Sequence, residues 1–94
     1  MLIHGFPLDH AMWQGVIEAL STNYRVIAPD LRGFGQSTVT AGTVTMRDMS
    51  DDIGSLLDAL KISEAVTIGG LSMGGYVAFQ FQHDRPRQVR ALML

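Results

Sequence analysis

Apolar residues recur along this chain with two periods, and the alternation between them lays out the fold. Met1-Leu2-Ile3 is a short apolar run that gives way to His4-Gly5-Phe6-Pro7, a strand end passing into a loop. Met12, Trp13, Val16, Ile17 and Leu20 follow at helical spacing, behind Asp9 as a helix N-cap, and are read as core packing. Tyr24-Arg25-Val26-Ile27-Ala28 reads as a second strand closed by Pro29, and residues 30–37, polar with two glycines, as the loop beyond it. Residues 38–44 alternate Val and Thr like a strand, but Gly42 interrupts them and they are read as loop. Thr45-Met46-Arg47-Asp48 has capping-box spacing, with Asp in the usual Glu position. Met49, Ile53, Leu56, Leu57 and Leu60 form the buried face of the helix that follows. Ala65-Val66-Thr67-Ile68 is a third strand, Tyr76 to Gln82 belongs to a third helix with no breaker until Pro86, and Val89 to Leu94 starts a fourth strand.

The order β-α-β-α-β-α-β predicts an α/β fold, a parallel sheet with helices on its faces and right-handed crossovers. Such sheets bind ligands beyond the C-terminal ends of their strands. The loops at 4–7, 30–37 and 70–74 all leave such ends, so they converge on one rim.

Composition narrows the function classes. With 94 residues the chain is one domain at most, and a net charge of −2 argues against nucleic acid or an anionic membrane surface as partner. Cysteine is absent, which removes disulfides and thiolate metal sites. No apolar run approaches the roughly 20 residues of a membrane span, and the N-terminus lacks the pattern of a signal peptide. The expectation is a soluble, cytoplasmic protein. Gly33-x-Gly35 lacks the third glycine of a dinucleotide fingerprint and no Walker A is present, so no nucleotide cofactor is expected. Asp51, Asp52, Asp58 and Lys61 are read as a solvated helix face.

The sharpest chemical signal is Gly70-x-Ser72-x-Gly74, set between the third strand and the third helix. A chain that turns so abruptly needs residues without side chains two before and two after the turning residue. The turning residue is then held in a strained conformation with its side chain exposed at the strand end. A serine there lies beside the free N–H groups of a helix start, which stabilise negative charge on a substrate oxygen. The bland reading is a glycine-rich turn with an incidental serine.

These residues together resemble the α/β-hydrolase superfamily over essentially the whole chain. His4-Gly5-Phe6-Pro7 is similar to its oxyanion-hole loop, Asp30-Leu31-Arg32-Gly33-Phe34-Gly35-Gln36-Ser37 to its D-x-R-G-x-G-x-S segment, and Gly70-Leu71-Ser72-Met73-Gly74-Gly75 to its nucleophile elbow. The resemblance implies Ser72 as catalytic nucleophile, the backbone N–H groups of Phe6 and Met73 as oxyanion hole, and His4, Gly5, Gly70 and Gly74 as support. It implies a four-stranded part of an eight-stranded sheet, in the order 2-1-3-4, with three helices. It also implies a small-molecule substrate, a carboxylic ester or lactone, and no cofactor or metal. Members with epoxide hydrolase or haloalkane dehalogenase activity use an aspartate nucleophile, which the serine argues against.

The family's triad runs Ser, then Asp or Glu, then His. After Ser72 come His83 and Asp84, near the far end of the helix, roughly 15 Å away at 1.5 Å per residue. His4 is read as orienting the oxyanion loop and His10 as a surface residue at a helix start, with lining of the pocket as the alternative. A metal site from His4, His10 and Asp9 is the minor alternative. The triad acid and base are thus missing, and residues 1–94 are expected to be the N-terminal part of a single hydrolase domain, truncated at both ends and inactive alone. Two readings stand: a serine hydrolase of esters or lactones, and a non-catalytic remnant or half-fold interaction module.

Overall fold

The computed structural model describes all 94 residues. Its elements are β1 (Leu2–Ile3), a 3-10 turn (His10–Trp13) leading into α1 (Gln14–Leu20), α2 (Met46–Ala59), β2 (Val66–Gly70), α3 (Met73–Asp84), and a second 3-10 turn (Pro86–Gln88) before β3 (Val89–Met93). The three strands are parallel in the order β1-β2-β3, with Leu2 beside Gly69, Ile3 beside Gly70, and Thr67 beside Ala91. Parallel neighbours require crossover connections, and α3 supplies the one between β2 and β3.

The sheet has three strands rather than the four expected, because residues 24–28 do not form one. That segment meets β1 through a single backbone hydrogen bond, from Leu2 N to Ile27 O at 2.8 Å. One bond makes no ladder. Tyr24 and Arg25 are exposed, and Pro29 closes the segment without an N–H to offer. The segment still lies beside β1, where the expected order placed it.

The core fills one side of the sheet. Ile3 and Ile68 face Met49, Ile53 and Leu57 of α2 and Val77, Ala78 and Phe81 of α3. Of the predicted α2 face, Leu56 is half-buried and Leu60 exposed. The capping box of α2 is complete: Thr45 Oγ1 accepts from Asp48 N at 3.1 Å, and Asp48 Oδ2 accepts from Thr45 N at 2.8 Å. The first helix departs from its expectation. Asp9 caps it, accepting from Ala11 N at 2.8 Å, but Met12, Trp13, Ile17 and Leu20 are only half-buried and Val16 is exposed. Residues 38–44 form no strand, as read. No helix is long and apolar enough to cross a membrane.

Candidate active site

β2 ends at Gly70 and α3 begins at Met73, so the reversal is made by Leu71 and Ser72 alone. Ser72 has φ +52° and ψ −113°, a backbone conformation L-residues rarely adopt. Its side chain is exposed and does not turn back to cap the helix. The strain is held by packing on both sides. A β-carbon at Gly70 would overlap the Gly74 carbonyl, and one at Gly74 would overlap the carbonyl oxygens of Ile3 and His4. Main-chain bonds from Leu71 N to Ile3 O (3.1 Å) and from Gly74 N to Leu71 O (2.9 Å) complete the turn.

The 4–7 loop lies directly on this turn. A β-carbon at Gly5 would sit 3.0 Å from Leu71 O and 3.6 Å from Ser72 Cβ. The Phe6 and Met73 N–H groups have no acceptor in the chain. Met73, the first helical residue, has none available within its own helix. The structure therefore brings Ser72, Gly5, Gly70 and Gly74 into contact, with two free N–H donors on the two segments that meet there.

His4 is fully buried beneath the loop and both ring nitrogens are engaged. Leu31 N donates to Nε2 at 3.0 Å, which places the ring proton on Nδ1, and Nδ1 donates to Gly5 O at 3.0 Å. Leu8 N also donates to Gly5 O, at 2.8 Å. The Gly5 carbonyl and the Phe6 N–H belong to one trans peptide and point in opposite directions. Holding the carbonyl from below aims the N–H away from His4.

The 30–37 loop braces this arrangement. Arg32 forms a two-pronged pair with Asp52 of α2, Nε to Oδ2 at 2.8 Å and Nη2 to Oδ1 at 2.7 Å. Asp30, only 8% exposed, accepts from the His10 backbone N (2.8 Å), His10 Nδ1 (2.7 Å) and Gln36 N (3.0 Å). Burial alone would raise its pKa, but those bonds from Gln36 and His10 outweigh it and hold it down to about 2. The bond to Asp30 and its charge raise His10 in turn.

Sequence reasoning did not find the His10–Asp30 pair, since His10 opens the first 3-10 turn, Asp30 lies in a loop 20 residues on, and nothing in their spacing links them. Asp9 joins them within 4.8 Å, and these three groups are of metal-ligand type. Asp9 is committed to Ala11 N and Asp30 to three N–H donors, so the cluster serves as a loop brace. His4, the other residue of the minor metal reading, is occupied elsewhere. His83 pairs with Asp84 at 3.0 Å at the far end of α3, away from Ser72.

A parallel sheet whose central strand turns sharply into a helix at an exposed, strained serine defines a class of fold. Residues 1–94 match the alpha/beta hydrolase fold family over their whole length, and the chain belongs to it. It is similar to 3-oxoadipate enol-lactonase 1 of Acinetobacter baylyi, at 46% identity over 70 residues, 74% of this chain and 26% of that protein. It is similar to a soluble epoxide hydrolase of a Corynebacterium species, at 37% identity over 94 residues, all of this chain and 32% of that one. Among solved structures, a thermophilic esterase from Thermogutta terrifontis matches with a TM-score of 0.95 and 48% identity, over 97% of this chain and 34% of its own. All three are hydrolases. The chain spans between 26% and 34% of their lengths.

Proposed function

We propose that these residues carry the nucleophile and the oxyanion donors of a serine hydrolase acting on small-molecule carboxylic esters or lactones. The observation that carries this reading is the backbone of Ser72, held at φ +52° between glycines that admit no β-carbon. Such strain persists where the surroundings over-determine it, and it presents a hydroxyl at the head of a helix.

In this reading Ser72 Oγ attacks the acyl carbonyl while its proton passes to a histidine base. The carbonyl oxygen becomes an oxyanion held by the Phe6 and Met73 N–H groups and by the positive end of α3. The tetrahedral intermediate collapses, the leaving alkoxide takes the proton from the histidine, and an acyl-serine remains. Water, activated by the same histidine, then releases the acid. Likeness to both an enol-lactonase and an esterase supports acyl transfer. The likeness to an epoxide hydrolase extends the fold, and the serine at position 72 supports an acyl substrate over an epoxide. Relatives about three times as long support taking residues 1–94 as one part of a single hydrolase domain, with the base and its orienting acid drawn from other residues of that domain.

The test is turnover of p-nitrophenyl esters and simple lactones by the full-length protein and its Ser72→Ala variant. Substitution should lower kcat by about 10⁴–10⁶. Parental turnover by Ser72→Ala would overturn the assignment.

A further inference from the structure

We propose that Phe34 is a positioning residue of the oxyanion loop, acting through the rings of His4 and Phe6 to fix the direction of the Phe6 N–H. This rests on the reading of Phe6 as an oxyanion donor. The three rings form a series. His4 and Phe34 meet edge-on with centroids 5.3 Å apart and an interplanar angle of 68°, and Phe34 and Phe6 meet edge-on at 5.9 Å and 88°. Both spacings lie within the range where aromatic edges and faces attract.

The peptide between Gly5 and Phe6 has two handles. One is the Gly5 carbonyl, held by His4 Nδ1 and Leu8 N. The other is the Phe6 side chain, whose direction relative to that peptide is set by rotation about the Phe6 N–Cα bond, so holding the ring restrains that rotation. The Phe6 ring is 70% exposed, and Phe34 is its aromatic partner. Without Phe34 the second handle is loose, and the ring of His4 loses its edge contact as well.

Phe34 is itself rigidly placed. Its N–H donates to Leu31 O at 2.9 Å and its carbonyl accepts from Ser37 N at 2.9 Å. The neighbouring Gly35 has φ +52°, and a β-carbon there would overlap the Asp30 carboxylate. Leu31, at the other end of the tight turn, donates to His4 Nε2. The same turn therefore holds both Phe34 and the histidine that Phe34 touches. Phe34 is half-buried and packs against the edge of the core, so melting temperature is read beside kcat to separate packing from positioning.

The experiment compares full-length enzyme carrying Phe34→Leu, Phe34→Ala or Phe34→Tyr with the parent. It measures kcat and KM on a p-nitrophenyl ester, phosphonylation of Ser72 by an organophosphonate, and melting temperature. Phe34→Leu keeps an apolar side chain but loses the ring. It should lower kcat by about 10–100-fold, as expected of a misplaced donor, with KM within about twofold of the parent. Phe34→Tyr keeps the ring edge and should restore kcat to within about threefold. Phosphonylation should slow in Phe34→Leu as kcat does, because the adduct needs the same donors. If Phe34→Ala fails to fold, the Leu and Tyr variants decide. Loss of melting temperature in Phe34→Leu with parental kcat overturns the proposal and leaves Phe34 as packing only. A parent whose Ser72 is not phosphonylated, and whose Ser72→Ala variant turns over normally, overturns the serine-hydrolase reading together with this one. Phosphonylated Ser72 with parental kcat in Phe34→Leu overturns only this one.

Discussion

The amide of Leu31 donates to Nε2 of His4 across 27 residues of sequence, at 3.0 Å and fully buried. This bond sets the tautomer of the ring, and the tautomer sets what Nδ1 can do for Gly5. His4→Ala leaves the Leu31 N–H unpaired in the core and opens a cavity. The loss should be about 2–4 kcal/mol of stability, read from chemical denaturation. On the proposed oxyanion role of the Phe6 N–H, kcat of the full-length protein should also fall by at least about tenfold, because the Gly5–Phe6 peptide loses one of its two clamps. A variant as stable as the parent would show that Leu31 finds another acceptor.

The two adjacent glycines at the head of α3 should behave oppositely. A β-carbon at Gly74 would overlap the backbone oxygens of Ile3 and His4, which cannot swing aside as a side chain would. Gly74→Ala should cost about 3 kcal/mol or more. At Gly75 the nearest atoms to such a carbon are Leu94 Cδ2 at 3.6 Å and Gly70 O at 3.7 Å, ordinary contacts. Gly75→Ala should be neutral or stabilising by up to about 1 kcal/mol, from helix propensity. Paired thermal melts test both, and equal melting of the two variants would contradict the close approach of α3 to β1.

Acid and base should act on the His10–Asp30 brace from opposite sides. Asp30 falls from an ordinary 3.8 to about 2 when folded, so its contribution is complete above about pH 4 and is lost as the pH drops toward 2. His10 rises above 6.5, so its contribution is complete below that pH and is lost as the pH climbs through its folded value. The melting-temperature gap between parent and Asp30→Asn should therefore be widest between about pH 4 and 6.5. It should shrink more on the acid side, because Gln36 N and His10 N continue to bond an ionised Asp30 in base. A gap independent of pH would mean that the carboxylate charge does not matter.

What could be read from the sequence was whatever a local rule governs. The capping box of Thr45 and Asp48 and the glycines around Ser72 report their own geometry through spacing. The strand expected at 24–28 failed because a strand is a relation between two segments: the β-branched run is there, but it meets β1 at one hydrogen bond. The core role expected of Met12 and Trp13 failed similarly, since helical spacing marks an apolar face without saying what covers it. His10–Asp30 and the rings of His4, Phe34 and Phe6 are invisible in one dimension. Phe34 stands between two glycines as the variable position of a motif, and only the folded turn shows what its ring touches.

Residues 1–94, prepared alone, should show no steady esterase turnover. A serine hydroxyl needs a base within about 3 Å, and each histidine in the chain is engaged elsewhere. His4 is buried with one nitrogen on Leu31 N and the other on Gly5 O, so it has no lone pair to offer Ser72. His10 is bound to Asp30 at the start of the first helix, and His83 to Asp84 at the end of α3. At 1.5 Å per residue His83 lies about 16 Å along the helix from Ser72. Loss of the triad histidine costs about 10⁶ in kcat in subtilisin, the reference case for that figure. The proposed oxyanion donors alone would leave at most a trace of single-turnover acylation. The check is p-nitrophenyl acetate hydrolysis by residues 1–94 and by the full-length protein, each beside its Ser72→Ala variant. Steady turnover by the short chain that Ser72→Ala abolishes would mean that one of the three histidines leaves its partner and reaches Ser72. His10, 43% exposed with Nε2 free of any bond in the chain, would be the first to substitute.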